Sequence, residues 1–118
     1  MQSKLKNMDI INMNISIAEM LGATKINYAN NSVGYLINGL TKNGIEGDPK
    51  NLKFHNDSNW QMFGLNQMYN KGYDWRLSSG NYCVIINPDG VEILDINLDP
   101  KECNAAFFAL WQLSQIKK

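Results

Sequence analysis

The segment Tyr82–Ile96, with the sequence YCVIINPDGVEILDI, carries the clearest structural signal in the chain. Its central NPDG, residues 87–90, is typical of a tight turn, because Pro88 presets φ at the second turn position and Gly90 accepts a left-handed conformation. The apolar runs on either side are therefore predicted to be antiparallel strands. Since Tyr82–Ile86 is apolar on both faces, we expect it to lie centrally in its sheet and to be covered twice.

Three further elements are predicted near the N-terminal end of the chain. Apolar residues at helical spacing, followed by a glycine, predict a helix over Asn12–Leu21. Thr24–Ala29 and Val33–Ile37 are short runs on either side of an Asn-rich turn, which is typical of a hairpin. A group of N-cap residues then introduces a second helix over about Ser58–Lys71.

A strand before the NPDG hairpin and a helix after it complete the predicted fold. Trp75 and Arg76 alternate within the strand, with Trp75 facing inward and Arg76 outward. The last helix is predicted to begin with Asp99 as its N-cap and a proline at its first position.

Phe108 and Trp111 lie off the main apolar face of the last helix, so this helix has more apolar surface than one ordinary interface buries. This breadth predicts a homo-oligomer, with a dimer as the commonest symmetric assembly.

These elements together predict an α+β fold. We expect helices to sandwich an antiparallel sheet of about five strands, in the order α-β-β-α-β-β-β-α. The 118 residues fit one domain, residues 1–118, in which residues 1–11 are a candidate N-terminal extension.

Charge and hydropathy exclude several classes of partner. Eleven basic and eleven acidic residues give no net charge, so no basic field is available to bind duplex nucleic acid. The longest apolar run, Ala105–Trp111, is far shorter than the roughly 20 residues of a membrane-spanning helix, and we expect no membrane partner.

Polar residues interrupt the N-terminal segment before a secretion signal could form. The two cysteines lie in apolar stretches and are expected to be buried thiols in a reducing cytoplasm.

Residues suited to catalysis are scarce. His55 is the one histidine, and it ends a long loop, residues 38–55, that has no regular period. The chain has no nucleophile-elbow motif, no glycine-rich phosphate motif and too few Cys and His residues for a zinc site. A hydrolase using His55 with Asp57, or a metal-assisted phosphodiesterase using Asp95 and Asp99, is the catalytic alternative. We expect instead a protein that is not an enzyme and holds no metal or cofactor.

Four short motifs, in their order and spacing, resemble the phage ABA-sandwich domain family. They are Ile17–Gly22, Trp60, the NPDG hairpin, and Asp99-Pro100 followed by Cys103–Leu110. The resemblance covers about Asn12–Gln115, and it implies a small phage or prophage protein with an antiparallel sheet between helical layers. It implies no activity, because the family has no assigned role. Ala23-Thr24 departs from the family, in which a tryptophan often follows the first helix.

A phage protein of this kind is predicted to sequester a nucleotide-type ligand, such as a cyclic nucleotide or an ADP-ribose-type signal of bacterial immunity. The link to other phage proteins is an analogy of class and not of motif. In the host cytoplasm, an oligomer would stack the base on aromatic rings and meet the phosphates with cations. The candidate ligand-binding residues are Tyr35, Lys42, Lys53, His55, Trp60, Trp75 and Arg76. The alternative is a phage protein-interaction or assembly module with no small-molecule ligand, which would show a broad apolar patch and no closed pocket.

Overall fold

The computed structural model describes residues 7–29, 31–41 and 47–116. These residues form three helices and five strands in the order predicted from the sequence, so the α+β class is confirmed. The helices are α1 (Asn7–Met20), α2 (Ser58–Asn70) and α3 (Ala105–Ile116), and the strands are β1 (Thr24–Asn27), β2 (Val33–Leu36), β3 (Asp74–Ser78), β4 (Tyr82–Ile86) and β5 (Glu92–Asn97). A 3-10 turn over Pro49–Asn51 lies between β2 and α2.

The strands form two sheets, and not the single sheet of five strands that we expected. β1 and β2 are an antiparallel hairpin, while β3, β4 and β5 form a separate antiparallel sheet. Gly47 lies at the second edge of β2, because the Tyr35 backbone N–H donates to the Gly47 carbonyl at 2.8 Å. A β-carbon on Gly47 would lie 2.0 Å from the Tyr35 carbonyl oxygen, so this approach requires glycine. With that edge taken, no strand of the second sheet can join there.

β4 is the central strand of the larger sheet, as the sequence predicted. Its middle residues, Cys83, Val84 and Ile85, point alternately to the two faces, and all three are buried. Cys83 and Ile85 belong to the main core, to which α3 contributes. Val84 lies on the opposite face, between its cross-strand partners Arg76 and Asp95. The two faces of the sheet therefore differ, since the core lies on one and charged side chains border the other.

Helix α3 is at the centre of the packing, because it contacts α1, α2, β4 and β5. Its Phe107, Leu110 and Leu113 are almost completely buried, as is Ile17 of α1. A β-carbon on Gly64 of α2 would lie 3.0 Å from a methyl carbon of Leu110, so α2 approaches α3 through a glycine. Substitutions along this line of α3 therefore disturb every layer of the fold.

The start of α3 differs from the prediction that Asp99 caps it. The Asp99 side chain accepts a hydrogen bond from the Lys101 N–H at 3.0 Å, within a turn that precedes the helix. Asn104 is the capping residue, because its Oδ1 accepts from the Phe107 N–H at 3.0 Å. Helix α3 consequently begins at Ala105, six residues after Asp99.

The cause of this later start is Asn81, at the turn between β3 and β4. Its Nδ2 donates to the carbonyls of Leu98 and Cys103, at 3.1 and 2.6 Å. Its Oδ1 accepts from the Ala105 N–H at 2.7 Å. The Asp99-Pro100 pattern correctly indicates a turn. The Asn81 side chain, however, holds the residues after Pro100 out of the helix and sets where α3 begins.

Helix α1 begins at Asn7, earlier than the Asn12 that we predicted, so residues 7–11 form the first part of this helix. The predicted end is close to the observed one, and Gly22 follows it with φ of 82°, as a terminating glycine requires. Within the described ranges, no helix is both long enough and apolar enough to cross a membrane.

We expect Asn81→Gly to lower the free energy of unfolding by about 2 kcal/mol, because it removes the hydrogen bonds to the start of α3. Glycine accepts the φ of 60° that Asn81 adopts, so this variant isolates the loss of the side chain. Asn81→Ala should be less stable than Asn81→Gly by about 1 kcal/mol, because alanine is strained at that φ. Urea unfolding measures both differences, and equal stability of the three proteins would contradict the role given to Asn81.

Candidate functional site

Asn14 is a polar residue on the buried side of α1, with only 1% of its surface exposed. Its Oδ1 accepts from the Phe54 backbone N–H at 2.9 Å, and its Nδ2 donates to the Ile10 carbonyl at 3.2 Å. The Phe54 carbonyl accepts from Nε2 of Gln61, in α2, at 2.9 Å. Side chains of two helices thus satisfy both backbone groups of Phe54, which fixes the segment ahead of α2 against α1.

The same carboxamide determines where His55 carries its proton. Nδ2 of Asn14 lies 2.9 Å from Nδ1 of His55. Because Oδ1 of Asn14 already accepts from a backbone N–H, the opposite atom of the amide is the nitrogen, which can only donate. Nδ1 must therefore accept, and neutral His55 carries its proton on Nε2.

The surroundings of His55 favour this neutral form. Burial lowers the pKa of His55 from its ordinary value of 6.5. The ring packs edge-on against Phe107, with the ring centroids 6.1 Å apart. His55 also lines a pocket of about 260 Å³, which we call the His55 pocket. Its other lining residues are Ile10, Ile11, Asn14, Pro49, Lys50 and Leu52.

A larger concavity, the α1–α3 groove, has a volume of about 600 Å³. The half-buried rings of Phe108 and Trp111 line it, with their centroids 5.5 Å apart and their planes inclined at 54°. Its other lining residues are Asp9, Asn12, Met13, Ser16, Gln112 and Gln115. The groove therefore combines two aromatic rings with amide, hydroxyl and carboxylate groups. At helical spacing, its α1 residues lie on the side of that helix away from the His55 pocket.

The described members of the predicted ligand-binding set do not line one common pocket. Tyr35 and Trp60 are buried in the core, and the Trp60 ring packs edge-on against Phe54 at a centroid distance of 5.0 Å. Burial raises the pKa of Tyr35, with Glu19 adding to the shift. These two rings are therefore part of the core, with 6% and 7% of the two residues' surfaces exposed.

The other predicted residues that the structure describes differ in exposure and in the face they occupy. Trp75 is partly buried against the core, while Arg76 is exposed in the same strand and points to the opposite face, as predicted. Lys53 is exposed, and Lys42 lies outside the described residues. Of the predicted set, His55 is the member that lines one of the two pockets above.

Sequence reasoning missed Asn14 and Lys50 as site residues. The signal for Asn14 was an amide among the apolar residues of a helix, which must find hydrogen-bond partners if it is buried. That signal is weak in a chain with seventeen asparagines. Phe108 and Trp111 were recognised, but as a contact between subunits and not as the wall of a groove.

The two cysteines and the aspartates considered for catalysis lie in the following environments. Burial raises the pKa of both Cys83 and Cys103 to about 11, so each thiol is protonated at neutral pH and is a weak nucleophile. A hydrogen bond to Asp95 raises the pKa of Tyr82, which places that carboxylate in a surface pair. Asp57 is the N-cap of α2. In the part of the chain that the structure describes, no group of three or more His, Cys, Asp and Glu side chains could hold a metal ion.

No family model, curated protein or solved structure matches this chain. The resemblance to the phage ABA-sandwich family therefore stays a prediction from the sequence.

We expect the stability of the protein to fall as the pH drops below the ordinary His55 pKa of 6.5. In this range the unfolded chain takes up a proton on the histidine, whereas the folded protein resists it because burial lowers the pKa of His55 and its Nδ1 faces the Asn14 amide. His55→Gln keeps a hydrogen-bond acceptor for Asn14 but does not titrate. Urea unfolding between about pH 7.5 and 5 should show a steeper loss of stability for the wild type than for this variant.

The two proteins share every other titratable group, so the difference between the two slopes isolates His55. Parallel slopes would contradict the assignment of Nδ1 as an acceptor in the folded state.

Proposed function

We propose that this protein acts by non-covalent binding, and that the α1–α3 groove holds the base of a nucleotide-type ligand. The observation that carries the proposal is the pair of half-buried rings, Phe108 and Trp111, in a groove of about 600 Å³. That volume is within the range of about 300 to 1,000 Å³ that is usual for small-molecule sites. Both rings have a surface available for stacking, which the buried Tyr35 and Trp60 lack.

The polar groups of the groove suit the edge of a base and its sugar. Asn12, Gln112 and Gln115 offer amides that both donate and accept hydrogen bonds, as the edges of nucleobases require. The Asp9 carboxylate accepts from amino or hydroxyl groups. Because Asp9 is the one charged residue among the described lining residues, the groove favours the uncharged part of the ligand, and its phosphates would remain at the open side.

Sequestration follows from this manner of binding. Stacking and amide hydrogen bonds hold a ligand without breaking its bonds, so the ligand should be released unchanged when the protein unfolds. We extend the proposal to a phage protein that withholds a nucleotide signal in the host cytoplasm, an extension that depends on the family resemblance. A homo-oligomer through Phe108 and Trp111 would close the groove with a second subunit.

A protein-interaction module is the second candidate function. The observation in its favour is that the groove lies between two helices and combines Met13, Phe108 and Trp111 with a polar border, as in sites that receive an amphipathic helix. The exposed Ile116 at the end of α3 extends the apolar surface beyond the groove. This candidate requires no small ligand.

We expect the purified protein to deplete at least one member of a panel of nucleosides, cyclic nucleotides and ADP-ribose from solution and to release it intact on heating. Trp111→Leu should weaken that binding by about 5- to 150-fold, because base stacking on an aromatic ring contributes about 1 to 3 kcal/mol. Equilibrium dialysis followed by mass spectrometry measures both the affinity and the chemical identity of the released ligand.

Tyr69→Leu is the matched control, because Tyr69 is an exposed ring on α2 that does not line the groove. It should bind the ligand as the wild type does. Equal weakening by the two variants, or chemical conversion of the ligand, would reject the proposed site. If no panel member binds but light scattering shows a dimer that Trp111→Leu dissociates, the interaction module is the better account.

A further inference from the structure

We propose that the His55 pocket is a binding site for a small organic anion, namely a carboxylate on a short aliphatic stem. The pocket lies on the side of α1 away from the α1–α3 groove, so this inference is independent of the function proposed above. It rests on the donor atoms that the pocket presents, on its charge and on its apolar walls.

The first donor is the Nε2–H of His55. Nδ1 accepts from Asn14, so the proton must be on Nε2. Within the described residues, Glu102 Oε1 is the one buried side-chain polar atom that has no hydrogen-bond partner. Since no protein acceptor is found for His55 Nε2 among those residues either, Nε2 must be accessible to solvent. It is therefore a donor open to solvent, on a ring that lines the pocket.

The second donor is the ammonium group of Lys50, which lies in the 3-10 turn after β2. Asp48, two residues before it in the chain, uses its Oδ1 to accept from the backbone N–H of Lys50 at 3.1 Å. Among the described lining residues Lys50 carries the only formal charge, because His55 is neutral. The described lining residues thus carry one positive charge and no negative one, and an oxyanion is the complementary ligand.

The walls of the pocket determine which chemical group the bound anion can carry. Ile10, Ile11, Pro49 and Leu52 surround the two donors with apolar surface. The volume of about 260 Å³ is below the usual lower limit of about 300 Å³ for drug-sized ligands. A short aliphatic carboxylate fills such a space with its stem and places its charge on the donors, whereas inorganic phosphate offers the charge without the apolar contact.

The test is a titration of isotope-labelled protein, observed by NMR, with isobutyrate, inorganic phosphate and isobutyramide at about pH 7.5, where His55 is neutral. Isobutyrate should give saturable shifts at Ile10, Ile11 and His55. Phosphate should bind more weakly at the same residues, and the uncharged isobutyramide should not bind. Tight phosphate binding with no effect of isobutyrate would show that the site recognises a phosphate group and would overturn the choice of a carboxylate.

Lys50→Gln and Lys53→Gln form a matched pair, because both lysines precede His55 but only Lys50 lines the pocket. Lys50→Gln should raise the dissociation constant for isobutyrate about three- to fivefold, the effect of losing an exposed ion pair. Lys53→Gln should leave it unchanged. Absence of saturable shifts at the pocket residues, or equal weakening by both variants, would overturn the proposal. These results leave the depletion test of the α1–α3 groove unaffected, so the two proposals can fail separately.

Discussion

The hydrogen bonds of the Asn14 carboxamide are the interaction on which the functional half of this structure depends. Asn14 is buried in α1, yet its oxygen and nitrogen are both satisfied, by Phe54, Ile10 and His55. Removing the amide would leave the Phe54 N–H buried without a partner, which costs about 1 to 3 kcal/mol. The amide therefore ties the segment before α2 to the first helix, and Gln61 completes the connection from α2.

Fixing α1 in this way has consequences on both of its sides. On one side, α1 and the 3-10 turn enclose the His55 pocket, and on the other it forms the α1–α3 groove with Phe108 and Trp111. Neither concavity lies on the larger sheet. The sheet instead positions α3, because Asn81 at the start of β4 determines where that helix begins. The two amides, Asn14 and Asn81, thus place the helices between which the candidate sites form.

Much of the fold could be predicted from local sequence, and little of the site could. The NPDG turn, the alternation in β3 and the apolar β4 are local signals, and each gave the correct element. The split of the sheet was not predictable from local sequence, because the pairing of strand edges depends on long-range contacts such as that of Gly47 with Tyr35. The site predictions favoured aromatic rings by residue type, but burial decides their role, and Tyr35 and Trp60 proved to be core residues. Long-range pairs such as Asn14 with His55 leave no pattern in a single sequence.

The most direct test of this account is the tautomer of His55, measured by long-range proton–nitrogen NMR on tag-free protein at neutral pH. His55 is the only histidine in the chain, so its ring signals need no assignment. The account predicts a neutral ring with a protonated Nε2 and an unprotonated Nδ1, and a shift of this balance in Asn14→Leu. A proton on Nδ1, or the averaged signals of a freely exchanging imidazole, would contradict the claim that Asn14 sets the chemistry of the pocket.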